Sequence, residues 1–488
     1  MGKLFIGWKE VDITPEQPVC LCGQFHARIS EGIKDPITAT VLILESIKEK
    51  ESSECVIMIS CDLVAIPYEF KKVVVEEIKK ILSDIDETKI IINATHTHTA
   101  PEPGGDIFRG RDRSDLSKCY GIDLPVMSPN DFIKFASEKI KEGVKIAWEN
   151  RKEGGIAYGL GFAVVGHNRR ISYYDGHSQM YGRTDVPDFS HVEGYEDHSI
   201  NLMATYDKDK NLTGLVVNIA CPSQVSENEF LISADFWHET RKELRKRFGE
   251  NICILSQCSA AGDQSPHILI NKKSEQRMWD LSQKTHREEI ALRIANGIEN
   301  IIPLIEKDIN YNPDFSYIYR RIKVSRYMIT EDVLNGSLNE AEKYYKEYER
   351  LKKELDENPD RKKEKRWYIE ITKNYRRAQW YLSVKDRYEI QKSEPKVEID
   401  IHILRIGGIV FATNPFECYL DYGMRIKARS KAIQTFIVQL VGGGTYLPTE
   451  RAVKGGSYGA IAPSCVVSPE GGKELVDETV KCIEELFK

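Results

Sequence analysis

The sequence predicts a mixed α/β fold: a mixed β-sheet core with surrounding helices, interrupted by an inserted, highly charged helical hairpin. Three observations carry this. Short apolar runs alternate with amphipathic stretches along most of the 488 residues, the rhythm of an α/β body. One segment, 331–390, leaves that rhythm and turns charged and helical. Polar, chemistry-bearing residues follow directly after five of the apolar runs.

MGKLFI at the start reads as a first strand. VIMISCDLV (56–64) reads as a buried strand, YEFKKVVVEEIKKILSDI (68–85) as an amphipathic helix and KIIINAT (89–95) as the next strand. Further strands are expected at 155–165, 200–207, 214–220, 251–257, 398–414 and 435–442. Helices are expected at 131–149, 235–248, 273–304, 417–432 and 471–487. Within 331–390, DENPD (356–360) divides the segment into two helices, because Pro359 disfavours helix at the residue before it. The chain is thus one body, 1–330 with 391–488, carrying a hairpin at 331–390. Such a hairpin is a solvated surface feature, an arm joining copies of the chain into a homo-oligomer, or a lid over an active site.

The composition, 41% hydrophobic and 30% charged with a net charge of −6, is that of a globular protein. No basic patch is interleaved with aromatic residues, so nucleic acid is not an expected partner. No apolar run approaches the roughly 20 residues needed to span a bilayer. The N-terminal stretch lacks a secretory apolar region and cleavage site, and a cytoplasmic location is expected. The 11 cysteines are scattered without C-x-x-C spacing, which reads as reduced, mostly buried thiols.

The chemistry begins at NATHTHTAPEPGG (93–105), where His96 and His98 follow an apolar run. On an extended segment, residues i and i+2 share a face. Imidazole is a preferred zinc ligand, and a catalytic zinc takes three protein ligands plus water. A TIM-barrel amidohydrolase also carries H-x-H. It expects the pair near the chain start, then a Lys, two further His and an Asp, an order not found here. The other strand-end segments are CPSQ (221–224), AGDQSPH (261–267), PFECY (415–419) and Tyr446. Ligands of open α/β sheets bind beyond the carboxyl ends of the strands, so one shared pocket is expected. For AGDQSPH the alternative is a turn in which Asp263 and Ser265 bond backbone groups.

Taken in order, these segments resemble the neutral ceramidase family. NATHTHTAP is similar to that family's SATHTHSGP, CPSQVSENEFLISADF (221–236) to HPTSMGNTNTLISGDN, and AGDQSPH to GDVSPN. GHNRR (166–170), NPFECYLDYGMRI (414–426) and YLPTERAVKGGSYGA (446–460) continue the series. The resemblance spans almost the whole chain apart from the helical insert. It implies that His96, Glu417 and Tyr446 hold a zinc ion and that His98 polarises the substrate carbonyl. It further implies that Ser265 is the active-site serine and that Arg169 and Tyr458 contact the substrate. Asp263 and His267, in the serine's segment, join the catalytic and substrate-binding sets respectively. The family's second zinc-binding histidine falls on Cys221. A thiolate can ligate zinc; alternatively Cys221 is a small buried residue and His238 or His98 supplies the nitrogen.

The expected function is a zinc-dependent hydrolase of a smaller polar substrate, most readily an amide, rather than ceramide. The polar and aromatic stretch 166–198 admits an alternative: a carbohydrate-active hydrolase or deacetylase using the same site. A metal-stabilised binding or assembly protein without catalysis is the third reading, motivated by Cys221.

Overall fold

The computed structural model describes residues 2–47, 53–104 and 116–488. Gly105, the last residue of the histidine-bearing stretch, lies outside them. The mixed α/β class is as expected.

Eight strands form the larger sheet, in the order Cys253–Cys258, Leu212–Ile219, Ser199–Asp207, Lys152–Phe162, Lys3–Asp12, Thr38–Ile47, Glu54–Cys61, Ile90–Ala94. Its outermost pair at each edge is parallel and all inner pairs are antiparallel. A second sheet of four strands runs Phe315–Ser325, Lys396–Ile406, Ile409–Thr413, Gln434–Val438, and its last pair is also parallel. The faces of both sheets share a core. Leu42, Leu44, Val56, Met58 and Ile91 meet Phe411, Phe436 and Val438 there. The alternate residues Val41, Ile43, Ile57, Ile59 and Ile92 turn outward to the helices Tyr68–Lys79 and Pro129–Glu149. Period two with both faces buried explains why these strands read as unbroken apolar runs. Helices Phe236–Phe248 and His286–Ile305 cover another outer face. Leu420–Arg429 and Pro469–Leu486 cover the four-stranded sheet.

Parallel pairing at the edges is what positions the site. Parallel neighbours leave a sheet at the same end, so their exits gather there. The exit of Gln434–Val438 then stitches the two edges of the larger sheet together. Gln439 N donates to Cys258 O (3.1 Å), and Leu440 O accepts from Ala94 N (3.4 Å). Leu440 N in turn donates to Phe416 O (3.3 Å).

Several elements differ from expectation. The 398–414 strand is two, reversed at Gly407, whose φ of +58° suits glycine. The 273–304 helix is also two. Gln283 takes a left-handed conformation (φ 54°) that ends Lys272–Ser282, and Thr285 starts His286–Ile305 with a capping box to Glu288. Thr285→Ala is expected to destabilise the fold by about 1 kcal/mol in urea unfolding. The 417–432 helix begins only at Leu420, because Glu417 and Cys418 pair instead with Tyr446 and Leu447. Strands Thr38–Ile47 and Phe315–Ser325 add to those expected.

The charged insert is the expected hairpin, Glu331–Glu357 and Ile369–Ile390 with a 3-10 turn at Pro359–Lys363 between them. It is docked on the body. Ala27 N donates to Thr372 Oγ1 (3.0 Å), and Arg387 reaches Cys465 O and Ala462 O (both 2.7 Å).

Candidate functional site

The turn after Ile90–Ala94 builds the centre of the site. His96 has left the extended conformation and sits at φ +64°. The proximity of the two histidines therefore does not come from strand alternation. The chain turns at His96 and brings Nε2 of His98 to 3.3 Å from Nε2 of His96. Nδ1 of His96 lies 2.6 Å from Val64 O. A carbonyl only accepts, so this nitrogen carries the proton, and in the neutral ring Nε2 presents its lone pair. On the other side of His96 Nε2 stands Glu417 Oε2, at 3.5 Å.

The His98 ring is held from three directions. Gly23 lies against it, and a Cβ there would come within 2.5 Å of the ring. Fully buried Arg28 donates to His98 O and, at 2.6 Å, to Cys22 O. Glu227 Oε2 lies 3.3 Å from His98 Nδ1. Burial lowers the His98 pKa to about 4 despite that carboxylate, so the ring is neutral near pH 7.

Glu417 and Tyr446 are brought side by side by the short parallel pairing of their segments. Burial pushes the Glu417 carboxyl up, but His96 and Arg169 together with the Tyr446 hydroxyl outweigh it and hold the pKa at about 2. Burial keeps the Tyr446 phenol protonated. Arg169 Nη2 donates to the Tyr446 phenol oxygen Oη (3.3 Å) and to Gly262 O (2.9 Å), and lies 3.9 Å from Glu417 Oε2. Its Nη1 donates to the Tyr181 phenol oxygen Oη (2.8 Å). Tyr181 donates on to Ser265 Oγ (3.3 Å) and accepts from Gln224 Nε2 (2.6 Å).

His96, His98, Glu417, Tyr446 and Tyr458 line one cavity of about 150 Å³. Ser265, Arg169 and His267 stand behind its wall. Ser265 is fully buried, and its Oγ also accepts from His267 N (3.1 Å). His267 Nε2 contacts Glu227 Oε1 at 2.9 Å.

Three expected site residues are placed elsewhere. Asp263 is buried in a turn, where Oδ1 accepts from Leu420 N (2.9 Å) and Oδ2 from Asn168 Nδ2 (3.0 Å). It supports the backbone, as in the turn reading of its segment. Cys221 is fully buried in the apolar cluster with Trp237 and Phe236, its Sγ 3.5 Å from Pro222 O. Burial drives that thiol well above its ordinary pKa. His238 opens onto a separate groove with Glu10, Pro36 and Arg241.

Does the remaining donor set suit zinc? Among the described residues, no three His, Cys, Asp or Glu side chains close into a ready-made cage. His96, His98 and Glu417 come nearest, with His96 as the shared member. Donor atoms on a tetrahedral zinc with bonds of about 2.0–2.1 Å stand about 3.3 Å apart, matching the 3.3 and 3.5 Å spacings here. The protons point the same way. A neutral His98 has one N–H, while both neighbours of its ring, the His96 lone pair and the Glu227 carboxylate, are acceptors. Its Nδ1 is buried without a hydrogen-bond partner. Were His98 to hold a cation through Nε2, its N–H would sit on Nδ1 toward Glu227, the kind of outer partner ligating histidines use. Two edges of such a set are in place, both meeting at His96, with His98 rather than Cys221 or His238 beside it.

Arg28, Tyr181, Gln224 and Glu227 were not among the expected site residues. Tyr181 lies in the polar stretch 166–198, and Gln224 and Glu227 in the Cys221 segment. Nothing in the sequence marks Arg28.

Neither a family model nor a curated protein matches this sequence. Its fold is similar to that of the neutral ceramidase from Pseudomonas aeruginosa, with a TM-score of 0.68 at 14% identity, over 99% of this chain and 75% of that one. A ceramidase complexed with C2 is equally similar, with a TM-score of 0.68 at 14% identity, over 99% of this chain and 76% of the other. At that identity the likeness is one of fold: this chain has the ceramidase fold along nearly its whole length.

Proposed function

We propose that this chain is a zinc-dependent hydrolase that cleaves the amide C–N bond of a small polar substrate. The observation that carries the reading is the convergence of His96, His98 and Glu417 on one face of a cavity shared with Tyr446 and Tyr458. A zinc ion bound there would polarise a carbonyl and bring the pKa of bound water to about 7. His96, His98 and Glu417 hold it, with the Tyr446 phenol beside them. Arg169 holds Tyr446 and Glu417 in place and keeps positive charge behind the wall. Ser265 acts through Tyr181 and Arg169, since its Oγ already accepts two hydrogen bonds.

The likeness of fold to two ceramidases supports hydrolysis as the reaction class, and the cavity volume of about 150 Å³ favours a substrate far smaller than a ceramide. All 11 cysteines are free thiols, which supports placement in a reducing, cytoplasmic setting. Among the described residues, no helix is long and apolar enough to cross a membrane.

Release of amine from a panel of short amides tests the reading. Chelation should stop the release and added zinc restore it. Zinc-loaded protein that cleaves no amide contradicts it. Cys221→Ala is expected to keep both zinc and activity while losing about 1 kcal/mol of stability from the small void it leaves. Loss of metal from a folded Cys221→Ala protein would return the thiol to the site.

A further inference from the structure

The same cavity wall contains a residue with no role in this chemistry. Arg376, from the second hairpin helix, lines it together with the metal-site residues. Its side chain is 13% exposed, and among the described residues it forms an ion pair with Glu102, whose Oε2 is 3.6 Å from Nη1. That is beyond hydrogen-bonding range, and among the described residues Nη1 has no hydrogen-bond partner. Glu102 is itself engaged elsewhere, accepting from Cys22 Sγ (3.4 Å) and Tyr120 OH (3.5 Å). The guanidinium is fixed in position, its carbon 4.9 Å from the Tyr120 ring centroid. Phe25, Tyr458 and Tyr446 also line the cavity, and Trp380 of the hairpin packs behind them, 5.2 Å from Phe25 and 5.8 Å from Tyr458.

The Glu102 ion pair leaves Nη1 without a hydrogen bond, and a guanidinium largely shielded from water gains from an anion that supplies one. Its planar fork matches a carboxylate, with two parallel N–H···O bonds. The rings of Phe25 and Tyr458 in the same cavity lining suit the uncharged part of such a ligand.

We propose that Arg376 is the receptor for a carboxylate on the substrate, so that the substrate is an N-acyl amino acid or a comparable carboxylate-bearing amide. This rests on the amide-hydrolase reading above for the reaction, though not for the receptor. In that reaction water adds across the C–N bond: its hydroxyl goes to the acyl carbon and its proton to the leaving nitrogen. The substrate's own carboxylate is unchanged and serves only for grip. The hairpin is then part of the specificity apparatus.

Two measurements separate the receptor from the reaction. Calorimetry of the zinc-loaded protein compares hexanoate with hexanol. Arg376→Gln is expected to weaken hexanoate on the order of ten- to a hundred-fold and leave hexanol unchanged. Glu102→Gln removes the competing carboxylate and is expected to tighten hexanoate several-fold, a gain that misfolding cannot imitate. Hexanoate held by zinc alone would bind both variants as it binds the parent protein, and that result overturns the proposal. In kinetics, N-acetylglycine should be preferred over N-acetylglycinamide, and Arg376→Gln should erase the preference. Equal use of the two by the parent protein overturns the substrate class. Arg376-dependent binding of hexanoate without cleavage of any amide leaves the receptor standing and removes the hydrolase reading.

Discussion

Replacing His96 by alanine is expected to strip zinc from the protein and reduce amide cleavage to background, leaving the fold intact. The donor atom of His96 faces both other members of the set, at 3.3 Å from His98 and 3.5 Å from Glu417. Loss of a partner behind a ligand typically lowers metal affinity or activity about 10- to 100-fold; loss of the shared ligand should exceed that. The fold should tolerate the change. His96 already holds φ +64°, so alanine adds little backbone cost there, and the ring's bond to Val64 O is lost. Metal content by atomic emission and unfolding by urea distinguish the two effects. A His96→Ala protein that keeps its zinc and its activity contradicts the assignment.

The largest expected loss of stability lies just beneath that turn. Asp62 and Arg241 form a two-point ion pair, at 2.7 and 2.8 Å, with side chains 0% and 5% exposed. Asp62 also accepts from Thr38 N (2.8 Å), Thr38 Oγ1 (3.0 Å) and Thr95 Oγ1 (3.2 Å). Asp62→Ala leaves the Arg241 charge buried without its partner, which should cost about 3–5 kcal/mol. Arg241→Met combined with Asp62→Leu removes both charges and should be markedly milder than Asp62→Ala alone. Thr95 immediately precedes His96, so Asp62→Ala should also weaken zinc binding in whatever fraction stays folded. Urea unfolding of the three proteins checks the ordering; a double variant as unstable as Asp62→Ala would show that packing rather than charge sets the cost.

Much of this was legible in the sequence, for identifiable reasons. Strands such as Glu54–Cys61 and Ile90–Ala94 are buried on both faces, so their apolar runs are continuous and stand out. Pro359 marks the break in the hairpin because its ring excludes helix before it. What failed was decided by single backbone conformations. Gln283 splits a helix by turning left-handed, and His96 turns left-handed at the strand exit, so the two histidines meet through a turn and not through strand alternation. The roles of Glu417 and Tyr446 came only through the family resemblance, since an isolated Glu and Tyr after apolar runs carry no spacing signal. Cys221 and His238 were offered as ligands by position in sequence. Tertiary packing sends one into an apolar cluster and the other to a separate groove. Arg376 stayed hidden because it is one cation among many in a charged helix, and only the docking of that helix brings it to the cavity.

Anomalous X-ray scattering recorded on both sides of the zinc edge, from crystals grown with zinc, tests the metal site most directly. The expected result is one peak within about 2.0–2.2 Å of His96 Nε2, His98 Nε2 and a Glu417 oxygen, with Cys221 Sγ outside bonding distance. A peak bonded to Cys221 or His238, or no peak at His96, would contradict it.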